Sequence, residues 1–222
     1  MSLKVIVFDF DGVLVDSNHI KRNAYYQMFN SFENGKKIVE NVLSKYEPNT
    51  RNFIIGKIVE QFVKRRLINS KDITKHGDKF VKQYGDICEN EVSRCNEIRG
   101  ALDNIKKLSP KYSLYINSLT PVEPLTRIIR KRMLVEFFKG IFGGEKSKTE
   151  NLKTIISIEK ISPTELLIIG DSISDFKVAY NSGTKFIGID GGDEKLRNKK
   201  LKYLLKDCSH LYEVVERMRR ET

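Results

Sequence analysis

No run of apolar residues in these 222 approaches the roughly 20 that a membrane-spanning helix requires. The segment MSLKVIVFDFDG has a short apolar stretch that ends in acid, so no secretion signal is expected there. Cysteine is scarce: Cys88, Cys95 and Cys208 show no CxxC pair and no metal-ligand spacing. That excludes a disulfide framework or a zinc motif and points to reduced thiols in a cytoplasmic protein. Internal repeats and low-complexity tracts are also lacking. So is any nucleic-acid-binding motif or basic stripe interleaved with aromatics, although 40 Lys and Arg against 29 Asp and Glu give a formal charge of +11. The basic residues are spread along the chain, with local clusters at RIIRKR (127–132) and EKLRNKKLK (194–202). A lysine-rich surface that favours anionic substrates accounts for the charge, and nucleic acid is not expected as a partner.

What is present is 40% hydrophobic and 31% charged residues, enough for one sizeable core in a globular chain of one domain, or one domain with an insert. Apolar runs predict short buried strands at 3–8, 112–116, 166–169 and 185–189, with a short strand or turn at 137–143. Helical stretches at 121–133, 149–160 and 174–181 alternate with the later strands. This is the pattern of an α/β fold with a doubly wound, Rossmann-like parallel sheet. The first strand is followed instead by helical candidates at 18–31, 36–45, 51–67 and 71–94. In the third, Phe53, Ile54, Ile58, Phe62 and Leu67 recur at near-helical spacing. The expected organisation is an α/β core of residues 1–16 and 97–222 with an inserted helical bundle at 17–96.

The stretch VIVFDFDGVLVDSN (5–18) sends Asp9 and Asp11 out of the end of its apolar strand, with Asp16 further on. In an extended segment residues two apart face the same side, and in doubly wound sheets ligands bind beyond the strands' C-terminal ends. LLIIGDSISD repeats the arrangement, with Asp171 just past a strand and Asp175 four residues later. Clustered carboxylates repel, so one must take a proton or a cation must neutralise them. The set lacks nearby histidine or cysteine. All-oxygen ligands select a hard cation, and few carboxylates beside a phosphate suit Mg²⁺ better than Ca²⁺. Taken singly, Asp16 and Asp175 read equally well as strand-end or helix-capping residues.

DFDGVLVDS together with GDSISD resembles the haloacid dehalogenase-like superfamily, specifically its phosphatase and phosphomutase members. The similarity extends through RGALDNIKKLSPKYSLYINSLTP and LLIIGDSISDFKVAYNSGTKFIGID to nearly the whole chain. The resemblance implies that Asp9 is a nucleophile that attacks phosphorus and becomes an aspartyl-phosphate. Asp11 would protonate the leaving oxygen and later deprotonate the attacking water, while its backbone carbonyl binds the metal. Asp171 is implied as a direct metal ligand and Asp175 as a supporting one, so that Asp9, Asp11, Asp171 and Asp175 form the expected Mg²⁺ set. Dehalogenases of the superfamily lack an aspartate where Asp11 stands, which favours phosphoryl chemistry. Ser118 in INSLTP matches the position that hydrogen-bonds the transferred phosphoryl oxygen, with Asn117 as the competing register. A lysine must offset the charge of phosphate and Asp9. GGEKSKTENLKTII offers Lys146 and Lys148. Lys148 is preferred because KTENL opens the next helix, although Thr149 stands where family members often have proline. Ser118 and Lys148 are thus expected both in catalysis and against substrate.

The helical insert resembles the superfamily's mobile cap, which would close over the substrate and exclude water. EPNTRNFIIGK (47–57) occupies the place of the family's specificity loop. There Arg51 either clamps a second anionic group in bidentate fashion or is a solvated helix-start residue, and Lys57 reads as surface. Phosphomutases resembling β-phosphoglucomutase carry a histidine five residues after the aspartate of DSxxxH. Here Lys21 holds that place as a candidate substrate contact, with His19 two residues earlier, a departure that weakens the mutase reading. The expectation is a Mg²⁺-dependent phosphomonoesterase for a small phosphorylated metabolite, such as a sugar phosphate or phosphoglycolate, with no membrane partner, as monomer or homodimer. The alternatives are a sugar phosphomutase and, in another class, a catalytically idle module that binds nucleic acid or another ligand. The presence of Asp9, Asp11 and Asp171 together speaks against the last.

Overall fold

The computed structural model describes residues 3–47, 49–69 and 73–221. The chain divides into two compact units, one of Met1–Ser17 with Cys95–Thr222 and one of Asn18–Arg94.

The first unit is built on six parallel strands: β1 (Val5–Phe8), β2 (Ser113–Asn117), β3 (Gly140–Phe142), β4 (Leu166–Gly170), β5 (Lys185–Ile189) and β6 (Leu204–Leu205). Their order across the sheet is β3-β2-β1-β4-β5-β6. β1 and β4 are buried at every residue, which is why they read as continuous apolar runs rather than as alternating patterns. The stretch 137–143 resolves into β3, preceded by a 3₁₀ turn at Val135–Phe137. The chain runs from β1 to β2 and β3 on one side, then crosses back to lay β4 against the other edge of β1. The C-terminal end of β1 is therefore a topological switch point, where diverging connections leave a crevice. Phe8 pairs with Ile116 of β2 and Ile169 of β4, so Asp9, Ser118 and Asp171 all leave the sheet at the same edge.

The second unit consists of α1 (Asn18–Phe29), α2 (Gly35–Tyr46), α3 (Arg51–Lys64) and α4 (Ile73–Val92). Its interior is aromatic. Phe29 lies 4.7 Å from Phe80 and 5.3 Å from Phe62, and Tyr25 stacks on Tyr84 at 4.5 Å. Ile54, Ile58 and Phe62 form the buried stripe of α3, while Phe53 is exposed. The helix stops at Lys64 rather than 67 because Arg66 takes a left-handed conformation, φ 61°. The Arg66 amide then returns to the Val63 carbonyl and the Leu67 amide to that of Phe62, a Schellman-type ending. Residues 71 and 72, the start expected for the fourth helix, lie outside the described residues.

The core unit adds α5 (Ala101–Leu108), α6 (Val122–Lys131), α7 (Lys148–Glu159), α8 (Ile173–Ser182), α9 (Glu194–Arg197) and α10 (Leu211–Arg220). Val5, Val7, Leu166, Ile168 and Tyr115 pack with Leu152 and Ile155 of α7 and Ala179 of α8. Each fully buried aliphatic side chain contributes about 1.5–3 kcal/mol, so the elements that carry the polar edge are anchored by the core beneath it. Val15 bridges Glu97, and the Asp16 amide donates to the Asn96 carbonyl. The two crossing segments of this unit are thereby paired. Cys88, Cys95 and Cys208 form no disulfide. Among the described residues no helix is long and apolar enough to cross a membrane.

Candidate active site

Asp9 is the first residue past β1. Its amide still donates to the Ile169 carbonyl at 2.8 Å, so its backbone stays in the ladder while its side chain leaves the sheet edge. Oδ1 accepts the Phe10 amide at 2.7 Å and Oδ2 lies 2.8 Å from Lys148 Nζ. Asp171 follows β4 directly, and Asp175 lies in the first turn of α8. Ser172 caps that helix: its Oγ accepts the Asp175 amide at 3.3 Å and donates to Asp175 Oδ2 at 2.5 Å. The close approach of Asp175 to the strand end requires glycine at 170, where an added Cβ would lie 2.3 Å from the Asp175 Cβ.

Lys148 is the first residue of α7, fixed there by a capping box in which Ser147 and Glu150 exchange hydrogen bonds. Its side chain is only 8% exposed and its Nζ lies 2.6 Å from Asp175 Oδ1 as well as 2.8 Å from Asp9. Lys146 is exposed. The β2 end supports this arrangement. Asn117 Nδ2 donates to the Lys148 carbonyl at 2.9 Å, and Asn151 Nδ2 donates to Asn117 Oδ1 and to the Gly143 carbonyl. Asn117 is thus committed to holding the start of α7, and the neighbouring Ser118 is the residue that faces the acids. Ser118 Oγ and Thr120 Oγ1 donate to Asp11 Oδ2 at 3.4 and 3.3 Å, and Ser17 Oγ donates to Asp11 Oδ1 at 2.6 Å.

Burial pushes the Asp9 carboxyl well above the usual carboxylate range. Lys148 opposes that shift, while Asp175, Asp171 and Asp11 add to it. Burial acts to lower the Lys148 value, but the carboxylates of Asp175 and Asp9 outweigh it and hold the ammonium above the ordinary lysine range. Asp9, Asp171 and Asp175 each offer a carboxylate oxygen, and these lie within 4.8 Å of one another. One ammonium does not balance this set once Asp11 is added. A cation of the hard, oxygen-preferring type fits the donor chemistry. Asp11's carboxylate is not part of that cluster, being turned to the three hydroxyls.

Six of the residues singled out from sequence, Asp9, Asp11, Ser118, Lys148, Asp171 and Asp175, therefore meet at one sheet edge. The haloacid dehalogenase-like hydrolase profile matches residues 6–189, a span that contains all six. The chain is a haloacid dehalogenase-like hydrolase. The hydrolase is 20% identical over 198 residues to a phosphoglycolate phosphatase of Psychrobacter arcticus, across 86% of this chain and 85% of that one. It is 21% identical over 230 residues to pyrophosphatase PpaX of Bacillus mycoides, across 98% and 99%. A crystal structure of a predicted phosphoglycolate phosphatase from Haemophilus somnus has the same fold, with a TM-score of 0.78 and 16% identity over 96% of this chain and 98% of that one.

The other two candidates belong to the helical unit of the hydrolase. Lys21 lies on α1, half-buried, and its backbone carbonyl accepts the Tyr84 hydroxyl at 3.3 Å. Arg51 opens α3 beside Gly85 of α4, and its Nε is buried without a hydrogen-bond partner among the described residues. Sequence reasoning overlooked Ser17, Thr120 and Asn151. Asn151 carried a signal: Lys148, Asn151, Leu152 and Ile155 are the buried residues of α7. A lysine and an asparagine on an apolar stripe at i, i+3, i+4 and i+7 mark polar groups turned inward.

Proposed function

We propose that this phosphatase hydrolyses a phosphomonoester of a small metabolite in two displacements at phosphorus, with Asp9 as nucleophile and Mg²⁺ as cofactor. The observation that carries the reading is the meeting of Asp9 with a buried ammonium 2.8 Å away and a hydroxyl-held second aspartate at the switch point of the sheet. In the first displacement an Asp9 oxygen bonds to phosphorus, the ester P–O bond breaks, and Asp11 gives its proton to the leaving oxygen. In the second, Asp11 takes a proton from water, the water oxygen bonds to phosphorus, and the bond to Asp9 breaks to release inorganic phosphate. Ser118 donates to a phosphoryl oxygen and Lys148 offsets the negative charge of nucleophile and phosphate. Asp9, Asp171 and the backbone of Asp11, supported by Asp175, would hold Mg²⁺. When bound it supplies the positive charge that lets an anionic nucleophile approach an anionic phosphate.

The helical unit is assigned the role of carrying substrate choice, with Arg51 and Lys21 as candidate contacts to a second anionic group. The Nε of Arg51 is buried without a hydrogen-bond partner among the described residues, an unmet donor of the kind that costs about 1–3 kcal/mol and singles out this arginine for the test.

A phosphate-release screen tests the reading. Sugar phosphates, phosphoglycolate and inorganic pyrophosphate are offered with Mg²⁺ and with a chelator. Release that needs Mg²⁺ and returns on its re-addition is the expected result. An isomerised sugar phosphate without phosphate release identifies a mutase instead. Tight RNA binding with no turnover of any ester identifies an idle binding module. Ser118→Ala is expected to lower kcat by about 100-fold, the loss of one donor to a charged oxygen, and wild-type kcat in that variant would remove Ser118 from the phosphoryl contact.

A further inference from the structure

We propose that Asp193 is a positioning residue for the metal-binding carboxylates, acting through the loop Asp190–Asp193 (DGGD). The proposal rests on the Mg²⁺ reading above and concerns a separate element, the connection between β5 and α9. One oxygen of Asp193, Oδ2, accepts the amide of Ile173, the first residue of α8, at 2.7 Å. The other, Oδ1, accepts the amides of Lys195 and Leu196 in the first turn of α9 at 2.8 and 3.2 Å. A single carboxylate thus ties together the starts of two helices. The first amides of a helix have no partner within it. In α8, Ser172 supplies one for Asp175 and Asp193 supplies one for Ile173. The segment secured in this way, Asp171 to Asp175, carries two of the three clustered acids.

The same loop also presses on Asp171 directly. A Cβ added at Gly191 would lie 2.7 Å from Asp171 Oδ2 and 3.1 Å from its Cβ, so the bare backbone of residue 191 walls one side of that carboxylate. Asp190 stiffens the loop from within. Its Oδ1 accepts the Gly192 amide at 3.2 Å and Arg197 Nε at 2.7 Å. Asp171 is therefore held between a helix start pinned by Asp193 and a wall of loop backbone. Mg²⁺ tolerates little departure from octahedral geometry, and groups that orient metal ligands are typically worth 10–100-fold in affinity.

Calorimetric titration of Mg²⁺ into the full chain without substrate, beside thermal melts in chelator, tests the assignment. Asp193→Ala is expected to raise the Mg²⁺ Kd at least about 10-fold. Asp193→Asn, which keeps one acceptor oxygen, should fall between it and wild type. Gly191→Ala disturbs Asp171 without touching Asp193 and is expected to weaken Mg²⁺ similarly, so the test stands even where Asp193→Ala fails to fold. In turnover assays the variants should need more Mg²⁺ for half-activation yet recover most of kcat at saturation. A lower Tm in chelator with unchanged Mg²⁺ affinity assigns Asp193 to helix capping alone and overturns the proposal. Wild-type protein that takes up no Mg²⁺ overturns it together with the metal reading. Wild-type uptake with indistinguishable variants overturns this proposal alone.

Discussion

Asp9→Asn is expected to lower kcat by at least about 10,000-fold while the chain stays folded. Loss of a covalent nucleophile removes the route itself, and such losses reach about a million-fold in enzymes that use one. The substitution keeps the side chain's shape. It takes away a charge that burial and three neighbouring carboxylates already disfavour, and Lys148 retains Asp175 at 2.6 Å. Because the folded chain holds the Asp9 proton more tightly than the unfolded chain does, that group's stabilisation is complete below the ordinary carboxylate range, about pH 4. It is lost as pH rises through the raised value. In chelator, the Tm of Asp9→Asn minus that of wild type should therefore grow as pH is raised from acid to neutral, and shrink when Mg²⁺ is added. Wild-type turnover by the variant would remove Asp9 as nucleophile. A pH-independent Tm difference would remove the electrostatic account of the site.

Lys148→Met carries the second large effect, on both activity and stability. The ammonium touches Asp9 and Asp175 from a nearly sealed position. Removing one partner of a buried ion pair leaves charge uncompensated and costs about 3–5 kcal/mol. For a chain of this size each kcal/mol moves Tm by about 2–4 °C, so a fall of about 6–20 °C is expected in chelator at neutral pH. Mg²⁺ should restore part of it by returning positive charge to the cluster. Turnover should fall by about 100–1,000-fold, the range for losing one preorganised electrostatic contact. Lys146→Met, two residues earlier and exposed, should stay within about 0.5 kcal/mol of wild type and keep full activity. Comparable losses in both variants would mean that the lysine contact to Asp9 does not govern the site.

The central strands were legible because a strand covered on both faces has no polar alternation to hide it, and VIVF and LLIIG carry their acids at the next position. The sheet edges were legible only in part: β3, three residues long, registered as no more than a short strand or turn at 137–143, and β6, two residues, is too short for any period to register. α10 repeats apolar residues at Leu211, Val214, Val215 and Met218, a stripe at helical spacing that is legible in the sequence although the expected helices above do not include it. At the site, residues next to a strand end or at a helix start were found from position alone. Thr120 and Asp193 were not, because their contacts join loops far apart in sequence, and Ser17, six residues from Asp11, was not because only the turn between them brings its hydroxyl onto that carboxylate. The choice between Asn117 and Ser118 likewise needed the amide chain through Asn151 to Lys148, which no spacing rule encodes.

β1 waits a long time for company. Its two hydrogen-bonding edges are filled by strands that begin at Ser113 and Leu166, so during synthesis VIVF emerges before either of its partners. An unpaired apolar strand is the template on which nascent chains stick to one another. Asp9 and Asp11 put two negative charges at its exit, the kind of flank that keeps such segments apart. The acids proposed to handle phosphorus in the finished enzyme thus also stand where charge works against the sticking of an unpaired β1.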